Sequence, residues 1–134
     1  MLDALGIPDK MREVMFSDTV LSLLRQSGWR PNRRWPTGQW VRELESEGFV
    51  MVPTAASVLE TFGGLELAPP KLASDTFLKG RLHFDPVIAA SGEFDRVNYW
   101  QERLNTRFSP LAEGSRGEIF LLAENGGVCA CYEQ

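Results

Sequence analysis

Thirteen residues, Gly28 to Trp40 (GWRPNRRWPTGQW), hold three of the chain's four tryptophans together with Arg30, Arg33 and Arg34. Bases stack on indole faces and phosphates pair with guanidinium groups. Arginine interleaved with tryptophan is therefore what a platform for single-stranded nucleic acid needs. The chain as a whole argues against that use. It carries 14 Lys+Arg against 18 Asp+Glu, a net charge of -4, with no wider basic patch to track a phosphate backbone.

The other reactive residue types give catalysis no foothold. His83 is the only histidine, which excludes a histidine-based metal cluster. Cys129 and Cys131 lack the second ligand pair of a structural zinc site, and nothing local supports a Cys–His dyad with His83. Two residues apart on a strand, the cysteines share one face and are poorly placed for a disulfide, so reduced thiols are expected. Gly63-Gly64 follows a helix and lacks the lysine of a phosphate loop, so it reads as a helix end. Glu43, Glu45 and Glu47 spread around a helix as a solvated face. Asp85 before Pro86, and Glu93 with Asp95 in a first helical turn, are accounted for by turn chemistry and the helix dipole. No cofactor is implied.

These residues must be held by a single domain of ordinary soluble composition, 134 residues long and 43% hydrophobic. No stretch is long enough to span a membrane and the N-terminus lacks the apolar run of a signal peptide, so a cytoplasmic location is expected. Residues 1–15 read as an arm and 16–134 as the domain. Ser17 caps a first helix whose inner face carries Val20, Leu21, Leu23 and Leu24, and Gly28 ends it. A second helix starts near Thr37, carries Trp40, Val41 and Leu44, and closes at Gly48. A third runs from Pro53 to Gly63-Gly64.

Alternation predicts short strands at 65–67 and 82–85, the second broken by Pro86. A helix from about Gly92 places Phe94, Val97, Trp100 and Leu104 on one face. Strands follow at 107–111, 118–123 and 128–132, the last two joined by a hairpin at Asn125-Gly126. The fold class is α+β, helices packed on a largely antiparallel sheet.

Several of these segments, in this order, resemble one family. Gly28-Trp29, Pro31 and Arg33 after the first helix are similar to the opening of the SUKH superfamily, the Smi1/Knr4-like immunity proteins, and most similar to its third subfamily. Phe62-Gly63-Gly64-Leu65, Phe84-Asp85-Pro86 and the segment around Pro110 resemble later elements of that family. Two departures stand out. Ala112 occupies a position usually held by glycine, and members typically run on beyond Gln134 into a last strand and closing helix. An uncovered sheet edge would invite self-association or a partner.

The resemblance implies a bacterial immunity protein that binds and neutralises a cognate polymorphic toxin, a nuclease or another nucleic-acid-targeting domain. It implies inhibition by binding, without a reaction, a cofactor, a membrane or direct contact with nucleic acid. An acidic surface suits a basic nuclease. Glu66, Asp75, Asp85, Glu93 and Asp95, at loops and element ends, are the candidate complementary charges. The alternative is a regulatory or scaffolding domain, as eukaryotic relatives of the superfamily suggest. On either reading Gly28–Trp40 becomes a connector between helices. Trp29 and Trp40 are expected to bury, Trp35 to stay partly exposed, and Arg33 or Arg34 to pair with a carboxylate of the fold.

Overall fold

The computed structural model describes residues 17–68 and 80–132, and in it glycine ends the first two helices by one device. Helix α1 (Asp18–Gln26) begins where the Ser17 hydroxyl accepts the Val20 N–H, at 3.2 Å. It ends as Gly28 turns left-handed (φ 100°) and the Trp29 N–H donates back to the Leu24 carbonyl, at 2.9 Å. Helix α2 (Gly38–Ser46) repeats this, with Gly48 at φ 106° and the Phe49 N–H on the Leu44 carbonyl at 3.0 Å. In both, the large residue after the glycine packs against the leucine whose carbonyl it caps. Leu24 with Trp29, and Leu44 with Phe49, are buried in the same core clusters. Local turn chemistry thus delivers an aromatic ring into the core each time.

Helix α3 (Pro53–Phe62) leads through Gly63-Gly64 into strand β1 (Glu66–Leu67). Strand β2 (Leu82–His83) is followed at once by a five-residue helix α4 (Pro86–Ala90), then by α5 (Phe94–Leu104). Strands β3 (Phe108–Gly114), β4 (Ile119–Ala123) and β5 (Val128–Cys131) complete the chain's described part. All pairings are antiparallel, in the order β1-β2-β3-β4-β5.

The two faces of the sheet are covered separately. Ile119, Leu121, Ala123, Phe108 and Cys131 meet Leu44, Phe49, Ala89, Ala90 and Val97 on one side. Leu111, Ala112 and Leu122 meet Ala55 and Leu59 of α3 on the other. Strand alternation would send Leu111 and Ala112 to opposite faces. A bulge between Pro110 and Ala112 lets both join one cluster, and it accommodates a proline inside a paired strand. Fully buried Ser109 ties this sheet to the loop before α3: its hydroxyl donates to the Val50 carbonyl (2.8 Å) and accepts the Val52 N–H (2.9 Å).

Four expectations need correction. Pro86 does not merely end a strand. It is the first residue of α4, whose N-terminus Asp85 caps by accepting the N–H groups of Val87 (3.0 Å) and Ile88 (2.9 Å). The next helix starts at Phe94, because Gly92 sits left-handed (φ 76°) in the turn between α4 and α5. Glu47 is no bare solvated residue, since its carboxylate accepts the Gly92 N–H at 2.9 Å. Val20, Trp100 and Leu104 are exposed although they lie on the helix faces expected to bury. The arm at 1–15 and Asp75 lie outside the described residues.

Candidate interaction surface

The Gly28–Trp40 connector runs across the C-terminal end of α3. Arg33 donates from its two terminal nitrogens to the carbonyl oxygens of Thr61 (3.1 Å) and Gly63, and the Trp35 N–H donates to Glu60 at 2.8 Å. These are the carbonyls a helix end leaves without intrahelical partners, and a cation there also suits the helix dipole. Arg33 therefore pairs with backbone, where a carboxylate partner was expected. Its guanidinium lies 5.1 Å from the centre of the Trp35 ring, and burial lowers its pKa from the usual arginine range.

Trp29 buries to 1% exposure and stacks on Phe62. Trp40 is half-buried against the α3 side of the sheet, and the partly exposed Trp35 stacks on it at 6.0 Å. Two of the three arginines remain exposed, but the tryptophans are turned toward one another and the fold. Arg33, Trp29 and Trp40 thus tie the segment to α3 and the core.

Among the described residues, the acidic candidates Glu66, Asp85, Glu93 and Asp95 do not form one patch. Glu66 is exposed on β1, ion-paired with Arg81 at 3.3 Å. Asp85 is half-buried and occupied by the α4 cap. Glu93, beside α5, pairs with Arg96 at 3.0 Å, and Asp95 is exposed in the first turn of that helix. Glu66 therefore lies at the β1 side of the sheet, while Glu93 lines a groove at the β5 side.

That groove, about 770 Å³, is the feature that sequence reasoning missed. Its floor is Phe108, Leu121, Cys129 and Cys131 from three strands, and its roof is α5 with Arg96, Tyr99, Trp100 and Leu104. The periodicity of α5 pointed to these residues as core. The structure covers only the first half of that stripe, burying Val97 and leaving Trp100 at 38% and Leu104 at 58% exposure. Tyr132, 66% exposed, stands at the outer rim. Arg103 lies 4.8 Å above the Tyr99 ring, and Tyr99 packs edge-on against Trp100.

Both cysteines are free, Cys131 in the core and Cys129 exposed in the groove. Partial burial, and then neighbouring Cys131, raise the Cys129 pKa. His83 is half-buried on β2 opposite Glu66. Among the described residues no three metal-ligating side chains gather, and no helix is long and apolar enough to cross a membrane.

No curated protein and no solved structure matches the chain significantly. The family model described as SUKH-3 immunity protein matches residues 16–132, which takes in the connector, the double glycine, the Asp85-Pro86 cap and the closing strands. A match over that much of its length means that the chain belongs to the SUKH-3 immunity protein family.

Proposed function

We propose that this protein binds a cognate polymorphic toxin, a nuclease or other nucleic-acid-targeting enzyme, and neutralises it by occupying its surface. The observation that carries this reading is the family match across 16–132, and the charge balance supports it. At a net charge of -4 the domain attracts a basic nuclease and raises the encounter rate. Among the acidic candidates, exposed Asp95 is suited to that steering, whereas Asp85, Glu93 and Glu66 already serve internal contacts, Glu66 through an exposed ion pair with Arg81. Asp75 belongs to the same proposal. Inhibition then needs no reaction and no cofactor from this chain.

Co-expression tests it. The toxin encoded beside this chain's gene should arrest growth alone, and growth should return when both are made. The purified pair should form a tight complex whose association slows as salt is raised. Absence of a complex with that toxin would overturn the reading.

A further inference from the structure

Charge is unevenly placed along this chain. Residues 25–42 hold five arginines and neither aspartate nor glutamate, so this stretch is +5 and the remainder -9, within a total of -4. Arg25 sits in the last turn of α1, and Arg33 is taken up by the carbonyls of α3. Arg30, Arg34 and Arg42 are exposed, and their side chains form no hydrogen bond or ion pair with any described residue.

The backbone keeps these three in one strip. The Arg33 N–H donates to the Arg30 carbonyl at 3.0 Å, and Arg34 directly precedes Trp35. The Arg42 guanidinium folds back to Gly38 at the start of α2, 3.3 Å from where a β-carbon there would sit. Acidic residues meet the strip without neutralising it: Glu60 contributes its backbone carbonyl to Trp35, and the Glu43 carboxylate accepts Gln39 at 3.0 Å.

Arginine and tryptophan are the side chains that most often dominate a protein interface. Unpaired guanidinium groups select a carboxylate or a phosphate. Nucleic-acid phosphate suits this strip poorly. Trp35 is already engaged by Trp40, Arg33 and Gly64, which leaves a base little ring face to stack on. A polynucleotide longer than the strip would also run onto a remainder of -9.

We propose that Arg30, Arg34 and Arg42 dock on carboxylates of the toxin, a step that rests on the toxin-binding reading above. The two signs of charge then act at different ranges. Net negative charge draws a basic toxin in from a distance, and the arginine strip holds it at contact. A basic nuclease offers such carboxylates, because those that hold its divalent cations lie within a phosphate-binding surface.

Charge reversal separates docking from steering, because the two predict opposite signs. Arg34→Glu and Arg42→Glu each make the net charge more negative by two. Steering alone would therefore speed association with a basic toxin and leave dissociation unchanged. Docking predicts that the purified complex dissociates about tenfold faster or more in each variant, and that co-expressed toxin again arrests growth. Circular dichroism should stay as in the wild type, since both sites are exposed. Arg34→Gln and Arg42→Gln should show the same direction of change and replace a reversal that fails to fold. Arg107→Glu, exposed but outside the strip, should leave dissociation unchanged. Wild-type dissociation in both strip variants overturns the proposal and leaves toxin binding standing. An equal effect of Arg107→Glu does the same. Absence of any wild-type complex is instead a failure of the toxin-binding reading, and the proposal falls with it. Binding of an oligothymidylate that is lost in Arg34→Glu would overturn the proposal by assigning the strip to nucleic acid.

Discussion

The ring of Trp35 lies against Gly64 so closely that a β-carbon on Gly64 would sit 2.7 Å from it. Gly64 is also left-handed, at φ 79°. Two independent reasons thus require glycine there, and Gly64→Ala should cost about 2–4 kcal/mol in chemical denaturation. Adding Trp35→Ala should restore the steric part and leave the conformational part. Full recovery in the double variant would mean that the backbone is unstrained.

Arg33 and Arg34 are adjacent and chemically alike but should respond differently. Arg33→Gln removes hydrogen bonds to the Thr61 and Gly63 carbonyls and should lower stability by about 1–2 kcal/mol, allowing for its partial exposure. Exposed Arg34→Gln should change it by no more than about 0.5 kcal/mol. Equal effects in thermal melts would remove the helix-capping role from Arg33.

Ser109→Ala leaves the Val50 carbonyl and the Val52 N–H without their partner. The expected loss is about 1–3 kcal/mol, read from urea titration. Hydrogen exchange should accelerate first at Val52, at the start of α3, because its N–H loses its acceptor.

The raised pKa of Cys129, caused by burial and then by Cys131, makes stability fall at alkaline pH. The unfolded chain releases this thiol proton first, near its ordinary value of about 8.5. The contribution is therefore complete below that pH and is lost as pH rises through the higher folded value. Melting temperature should decline more steeply above about pH 8.5 in the wild type than in Cys129→Ser. Alkylation of native Cys129 should likewise reach half its maximal rate at a higher pH than a free thiol does.

Much of the scaffold was legible because its punctuation is local. Ser17, Gly28, Gly48, Gly63-Gly64 and Asn125-Gly126 act within a few residues of themselves, and each sits where its chemistry places it. Helix α4 escaped because Asp85-Pro86 serves equally to end a strand and to begin a helix, and five residues are too few to show a period. The partners of Arg33 escaped because they are backbone carbonyls 28 and 30 residues away, which leave no trace in residue types. The groove escaped for a related reason. The stripe of α5 announces apolar contact, but only topology reveals that β5 ends the sheet beneath it. Glu66 and Glu93 both sit at element ends in the sequence, yet the fold puts them at opposite sides of the sheet, a separation that residue types do not carry.

The Ser109 contact also joins parts of the chain that are far apart in sequence. Hairpins β3–β4 and β4–β5 close short loops, whereas the hydroxyl of Ser109 meets Val50 across 59 residues of chain. Short loops close at little entropic cost and long ones wait for surfaces already made. The β3–β4–β5 meander is therefore the part of the sheet that closes at least entropic cost. The buried faces of α2 and α3 pack on that meander, so their burial depends on strands that lie far along the chain from them.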